Sequence, residues 1–331
     1  MTTRRTIDFH AHIVHPELLA MSEDKVVLSG FGARPPLPRP PGSRAHHSFE
    51  LMLRPDLHVA EMDRRNIDVH VLSSSTVVQG TFWAGPDEEP ALCATMNDAM
   101  HDWVVAHPDR FVGSMVLPFQ NLPATLAEIE RCWDRHGLRI VNAPSNVNGR
   151  YLGDPFFDDY WRLAAERKLI TFIHPDGVRD PWFQRYSLWN SVGQPIEETR
   201  VIASLIYEGV LERHPDIDIV IAHGGGYLPL FMGRLDRNVT NMPESTRNIR
   251  GMPSDYIRRL HYDICVYDPV ALARLIEHVG ADRLLLGSDF PFGDPTAFHL
   301  LDQIGELSAA DRQRIIGGNA AALLHRATPA A

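Results

Sequence analysis

Apolar residues alternate along the chain between two rhythms. Short runs rich in Val, Ile and Leu recur from end to end, and the stretches between them carry apolar residues at helical spacing. The runs predict eight strands: Thr6–Phe9, Asp68–Ser73, Val112–Leu117, Leu138–Ala143, Leu169–Ile173, Ile217–Ala222, His261–Val266 and Arg283–Ser288. The intervening patterns predict helices over Ala91–Ala106, Ala124–Arg135, Phe157–Arg167, Pro195–Arg213, Pro269–Val279 and Ser308–Leu324. Leu122, Leu126, Ile129 and Trp133 illustrate the second rhythm, falling on one helical face. Ser308 stands where an N-cap is wanted, just before Ala309 and Ala310. Alternating strand and helix imply a parallel sheet with right-handed crossovers. Eight such units over 331 residues fit a single (β/α)8 TIM barrel, although a doubly wound sheet shares the local signal.

Two stretches interrupt the alternation. Pro35, Pro36, Pro38, Pro40 and Pro41 exclude a helix interior or a central strand, so residues about 25–50 read as an insertion. Asn238–Ser254 mixes Asn, Pro, Met and Arg without periodicity. It reads as a second insertion: a surface excursion, a lid or an oligomer arm. The 32 Lys+Arg set against 42 Asp+Glu leave a formal charge of -10, which argues against a nucleic-acid partner. No apolar run approaches the ~20 residues of a membrane span. Cys93, Cys132 and Cys265 are widely spaced and odd in number, unlike a disulfide framework. The start, Met1-Thr2-Thr3-Arg4-Arg5, leads straight into a strand without a signal-peptide pattern, so a cytoplasmic location is expected.

A barrel of this class carries its chemistry at the C-terminal ends of its strands. The first predicted strand runs into Asp8-Phe9-His10-Ala11-His12, where extended-chain alternation places His10 and His12 on one face. The fifth is followed by His174-Pro175, the sixth by His223-Gly224-Gly225-Gly226, and the eighth by Asp289-Phe290-Pro291. One histidine after a strand is more often a satisfied hydrogen-bonder than a ligand. Four imidazoles and a carboxylate at the right ends of four strands are a different matter. That donor set with an open position suits one divalent metal, foremost Zn²⁺, with Mn²⁺ and Fe²⁺ as alternatives. A second metal needs a bridging lysine or acid after the fourth strand, where Val141-Asn142-Ala143 stands instead.

These residues resemble the amidohydrolase superfamily. Further motifs are similar to its aminocarboxymuconate semialdehyde decarboxylase branch: Phe82-Trp83-Ala84-Gly85-Pro86, Arg110-Phe111-Val112-Gly113, His223-Gly224-Gly225-Gly226-Tyr227-Leu228-Pro229, Gly287-Ser288-Asp289-Phe290-Pro291-Phe292 and Gly318-Asn319-Ala320. The resemblance implies a metal held by His10, His12, His174 and Asp289, with His223 as the acid/base beside it and Asp289 assisting proton transfer. It implies a homodimer, and arginines that clamp the substrate carboxylates. The positions matching the branch's two arginines hold Phe49 and Met242, so Arg54, the nearest arginine to the first, is the candidate anchor. Trp83, Tyr186 and Trp189 follow the second and fifth strands and favour a planar, conjugated or aromatic acid as the small-molecule partner.

The activity so implied is non-oxidative decarboxylation. The metal's water, whose pKa the cation lowers, or His223 protonates the substrate carbon before carbon dioxide leaves. The same residues also serve a hydratase or a hydrolase of an unsaturated acid, lactone or amide. A catalytically silent barrel would have lost at least one of the five key side chains, and all five are present.

Overall fold

The computed structural model describes residues 5–23, 39–75, 79, 83–178, 180–293 and 297–327. Phe82 of the tryptophan motif and much of the proline-rich insertion lie outside the described residues. Among the described residues there are ten strands: β1 (Ile7–Ile13), β2 (Val69–Ser74), β3 (Phe111–Met115), β4 (Ile140–Ala143), β5 (Asn146–Val147), β6 (Arg150–Tyr151), β7 (Ile170–Ile173), β8 (Asp218–Ile221), β9 (His261–Asp263) and β10 (Leu284–Leu285). Eight of them form one sheet in the order β1-β2-β3-β4-β7-β8-β9-β10, and β5 and β6 make a small separate hairpin. The paired strands of the large sheet run parallel. Backbone bonds from Phe9 N to Leu286 O (2.8 Å), His12 N to Phe290 O (2.8 Å) and Phe290 N to His10 O (3.0 Å) join the last strand to the first and close the barrel.

Burial explains why these runs become strands. One side chain of each alternating pair fills the barrel, among them Ile7, Val71, Ile140, Ile170, Phe172, Val220 and Leu285. The other packs under the helices, as Val141, Ile173, Ile219 and Ile221 do. Such two-sided burial yields near-continuous apolar strands. Ala320 and Leu323 of the helix Asn319–Ala327 join the interior cluster, and Arg326 beside them pairs with Asp218 at the start of β8 (2.8 Å). The last helix therefore seals the floor. Asn319 fastens it by donating to the carbonyls of Ala281 and Leu284 (both 2.8 Å), which gives the Gly-Asn-Ala motif a structural role.

Several boundaries differ from expectation for local reasons. β1 extends through both motif histidines to Ile13, beyond the expected end at Phe9. The expected helix Pro195–Arg213 is two, Gln194–Tyr207 and Val210–Arg213, divided at Gly209, whose φ of 76° reverses the chain. The expected strand His261–Val266 ends at Asp263. The helix Leu228–Asn241 runs into the aperiodic 238–254 stretch, where Pro243 ends it and a further helix begins at Pro253. Within the first insertion, residues Arg44–Leu53 are helical, capped by Ser43 through a bond from His46 N (3.1 Å). Ser308 caps its helix as expected, accepting from Asp311 N (3.0 Å). Among the described residues no helix is long and apolar enough to cross a membrane.

His261, at the foot of β9, is buried, and burial together with the charges of Arg283 and Arg326 lowers its pKa to about 4. An unfolded imidazole titrates near 6.5. Between those pH values the unfolded chain binds a proton that the folded chain rejects, so stability falls as pH drops from about 6.5 to 4. Replacing His261 by Gln should flatten that decline, as read from melting temperature against pH for both proteins.

Candidate metal centre

A bulge builds the first part of the site. Asp8 pairs with His70, but Ala11 pairs with Leu72, so β1 carries one extra residue between them. Beyond it Ala11 and Ile13 pack outward, while the His10 ring lies against the interior Phe172 with centroids 5.2 Å apart. His12 follows on the same side, its ring 5.0 Å from that of His10. The sequence motif thus meets at the inner mouth because the extra residue re-aims it.

Hydrogen-bond partners assign the tautomers. His10 Nδ1 donates to Asp263 Oδ2 (2.6 Å), and His12 Nδ1 donates to the Ser74 carbonyl (3.2 Å). Each ring is therefore left with a bare Nε2. Those two nitrogens lie 3.1 Å apart, and Asp289 Oδ1 is 3.1 Å from His12 Nε2 and 3.4 Å from His10 Nε2. Three lone-pair atoms converge where His10 and His12 are almost fully buried, an arrangement that neutral rings leave without a shared proton. Such a cluster is repulsive until a cation fills it, and two imidazoles with a carboxylate are a donor set that fits a divalent metal. His174 completes the ring of donors, its centroid 4.9 Å from His10 and 5.0 Å from His12. Ligand atoms of His10, His174, His223 and Asp289 all fall within 4.8 Å of one another.

His223 differs electrostatically from the rest. Its Nδ1 lies 2.5 Å from Glu198 Oε1, and Glu198 is fully buried on the helix Gln194–Tyr207. Burial alone would lower the His223 pKa, but the Glu198 charge and hydrogen bond raise it to about 9. Burial raises Glu198 itself to about 7. By contrast, burial lowers the pKa of His10, and burial with the neighbouring imidazoles lowers that of His174 well below the ordinary value. The site therefore sorts its histidines. The shifts of His10 and His174 favour the neutral ring with a lone pair to offer, whereas that of His223 favours the protonated ring. His223 (φ 49°) and Asp289 (φ 55°) both sit in the left-handed backbone region, a strain that recurs at functional sites.

Two supporting residues escaped the sequence reading. Asp263 ends the seventh barrel strand and braces His10 while also accepting from Cys265 N (3.1 Å) and Gly224 N (3.3 Å). A polar residue at a strand's C-terminal end was the available signal. Gly287 allows the approach, since a Cβ there would come within 2.6 Å of the Asp263 Cβ. Glu198 sits mid-helix and no sequence pattern marked it.

The proposed substrate contacts are scattered. Trp83 is buried in the outer core and Trp189 is half-buried in the segment after β7. Arg54 lies between two helices with a side chain 61% exposed, 4.0 Å from Glu50, and Tyr186 is 81% exposed. Both of these last side chains face solvent.

Changing Glu198 to Gln removes the charge that holds the His223 proton and leaves burial to dominate. The His223 pKa should then fall from about 9 to below 7, as followed by NMR titration of ¹⁵N-histidine-labelled protein.

Comparison with known proteins agrees with this architecture. The chain is 33% identical over 270 residues to a 2-amino-3-carboxymuconate-6-semialdehyde decarboxylase of Dictyostelium discoideum, covering 80% of this chain and 75% of that one. Its fold is similar to that of 5-carboxyvanillate decarboxylase from Sphingomonas paucimobilis, with TM-score 0.86 at 23% identity, covering 98% and 99% of the two chains. It is also similar to a dihydroxybenzoic acid decarboxylase from Polaromonas sp. JS666 solved with manganese and the inhibitor 2-nitroresorcinol, with TM-score 0.84 at 22% identity, covering 99% and 98%. The family model described as amidohydrolase matches residues 7–326, and with that match the chain belongs to the amidohydrolase family.

Proposed function

We propose that the protein is a metal-dependent, non-oxidative decarboxylase of a small conjugated or aromatic carboxylic acid. The observation that carries the reading is His223, paired through Nδ1 with the buried Glu198, set beside a cluster of ligand-capable imidazoles and a carboxylate. His10, His12, His174 and Asp289 would hold the metal. We assign Zn²⁺ on the imidazole-rich donor set; the manganese in the Polaromonas neighbour makes Mn²⁺ the alternative. When bound, the cation supplies positive charge that orients the acid and stabilises negative charge developing on it.

The chain's own residues move the proton. Glu198 fixes His223 Nδ1, so the proton available to a substrate is the one on Nε2. At neutral pH that imidazolium is an acid. It delivers its proton to the carbon bearing the carboxylate, forming a C–H bond. The C–C bond to the carboxylate then breaks, carbon dioxide departs, and the electron pair returns to restore conjugation. Hydrolysis or hydration would instead need His223 as a base to activate water, and the raised pKa beside Glu198 favours the acid role. Trp83 and Trp189 suit a planar acid better than Arg54 and Tyr186, whose side chains face solvent.

We also infer a homodimer built on the helix Leu228–Asn241. Phe231, 61% exposed, stands in its first turn beside Tyr227 and Leu230, an exposed apolar group of the kind a partner covers. Replacing Phe231 by Glu should convert dimer to monomer in sedimentation velocity. A wild-type chain that sediments as a monomer would remove the inference.

The central test offers conjugated carboxylic acids to the metal-loaded enzyme and measures ¹³CO₂ release. Changing His223 to Ala should keep about one metal per chain while cutting turnover by roughly 10²–10⁴-fold. Changing Asp289 to Ala should lower both metal content and turnover. An emptied site in the His223 variant would make that residue a ligand and overturn its role as acid.

A further inference from the structure

The seam between β10 and β1 carries ligands on both sides and has little to hold it. β10 pairs regularly only over Leu284–Leu285, and β1 is bulged at this level. Among the described residues three backbone bonds join the two edges, two of them making the isolated bridge of Ala11 with Phe290. Asp289, on the far side, adopts a left-handed conformation with no regular strand around it. Two ligands that must meet a metal within a few tenths of an ångström thus stand on edges joined by few bonds.

Asp8 spans that seam. Its Oδ1 accepts from the amide of His10 (3.0 Å) and from the amide of Ser288 (3.1 Å), and its Oδ2 accepts from Ser288 Oγ (2.5 Å). One carboxylate therefore grips the backbone of one ligand, His10, and of the residue before another, Asp289. Asp8 is fully buried, so water does not compete for these bonds. Behind it, in register across the strands, stands His70, whose Nε2 is 3.6 Å from Asp8 Oδ2. His70 Nδ1 donates to His58 Nε2 (2.8 Å), and His58 Nδ1 donates to the Leu51 carbonyl (3.0 Å). Both imidazoles are fully buried, which backs the carboxylate with a dry wall anchored in the helices Arg44–Leu53 and Pro55–Arg64.

We propose that Asp8 is a positioning residue that locks His10 and Asp289 into metal-binding register across the barrel seam. The inference rests on the metal centre described above. Outer partners that orient metal ligands are worth about 10–100-fold in affinity. The brace acts through hydrogen-bond acceptance rather than through charge. Asn at position 8 retains an oxygen for both amides and turns an N–H toward Ser288 Oγ or His70 Nε2, whereas Ala retains nothing.

The test measures Zn²⁺ dissociation constants by chelator competition for wild type, Asp8→Ala and Asp8→Asn. Apo melting temperatures and the electron paramagnetic resonance of the Mn²⁺-loaded forms accompany them. Asp8→Ala should bind Zn²⁺ about 10–100-fold more weakly and give a broadened Mn²⁺ signal. Asp8→Asn should stay within about threefold of wild type with an unchanged signal. Equal weakening in both variants, or wild-type affinity in Asp8→Ala, overturns the brace. If Asp8→Ala fails to fold, Ser288→Ala decides: affinity lowered about three- to tenfold supports the brace and unchanged affinity refutes it. Wild type that takes up neither Zn²⁺ nor Mn²⁺ would instead refute the metal centre itself.

Discussion

Two bare imidazole nitrogens and a carboxylate oxygen lie within 3.4 Å of one another in a nearly dry pocket, and much of the mouth is organised around that repulsion. Left alone, such groups would separate or take up protons. Burial disfavours the proton on His10, and separation is resisted because each group is held from behind: His10 by Asp263, His12 by the Ser74 carbonyl, and the strand edges by Asp8. Preorganised, unsatisfied acceptors are what give a cation its binding energy. The same logic, with the sign of the charge reversed, governs His223, where a buried carboxylate stores a proton instead of refusing one.

The contrast between His10 and His223 shows how neighbouring imidazoles take opposite roles. Both donate Nδ1 to a buried acid. His10 additionally faces a second imidazole nitrogen at 3.1 Å, and Asp263 divides its acceptance with two backbone amides. Among the described residues Glu198 hydrogen-bonds to His223 alone, so its charge is not shared with backbone amides.

Much of this was legible in the chain. Eight β-rich runs and their helices followed from burial periodicity, because a parallel barrel buries both faces of each strand. His10, His12, His174, His223 and Asp289 stood out since strand ends locate a barrel's mouth. What was not legible depends on backbone geometry or on distant pairing. The bulge before His10 has no residue signature, and the division of a long helix at Gly209 looks like a tolerated glycine until its φ is known. Glu198 and Asp8 acquire meaning only through partners 25 and 280 residues away. Arg54 illustrates the reverse case: chosen by proximity in sequence, it sits at a helix junction that turns its side chain outward.

The closed seam also orders events during synthesis. His12 and Asp289 are 277 residues apart, and the bonds that unite their strands draw on the first and the last strand of the barrel. A growing chain on the ribosome holds the early histidines long before it holds their carboxylate partner, or the terminal helix that seals the floor beneath them. Metal capture by the finished coordination sphere is therefore a post-translational event, and the nascent protein presents only partial, weaker sites to the cell's metal pool.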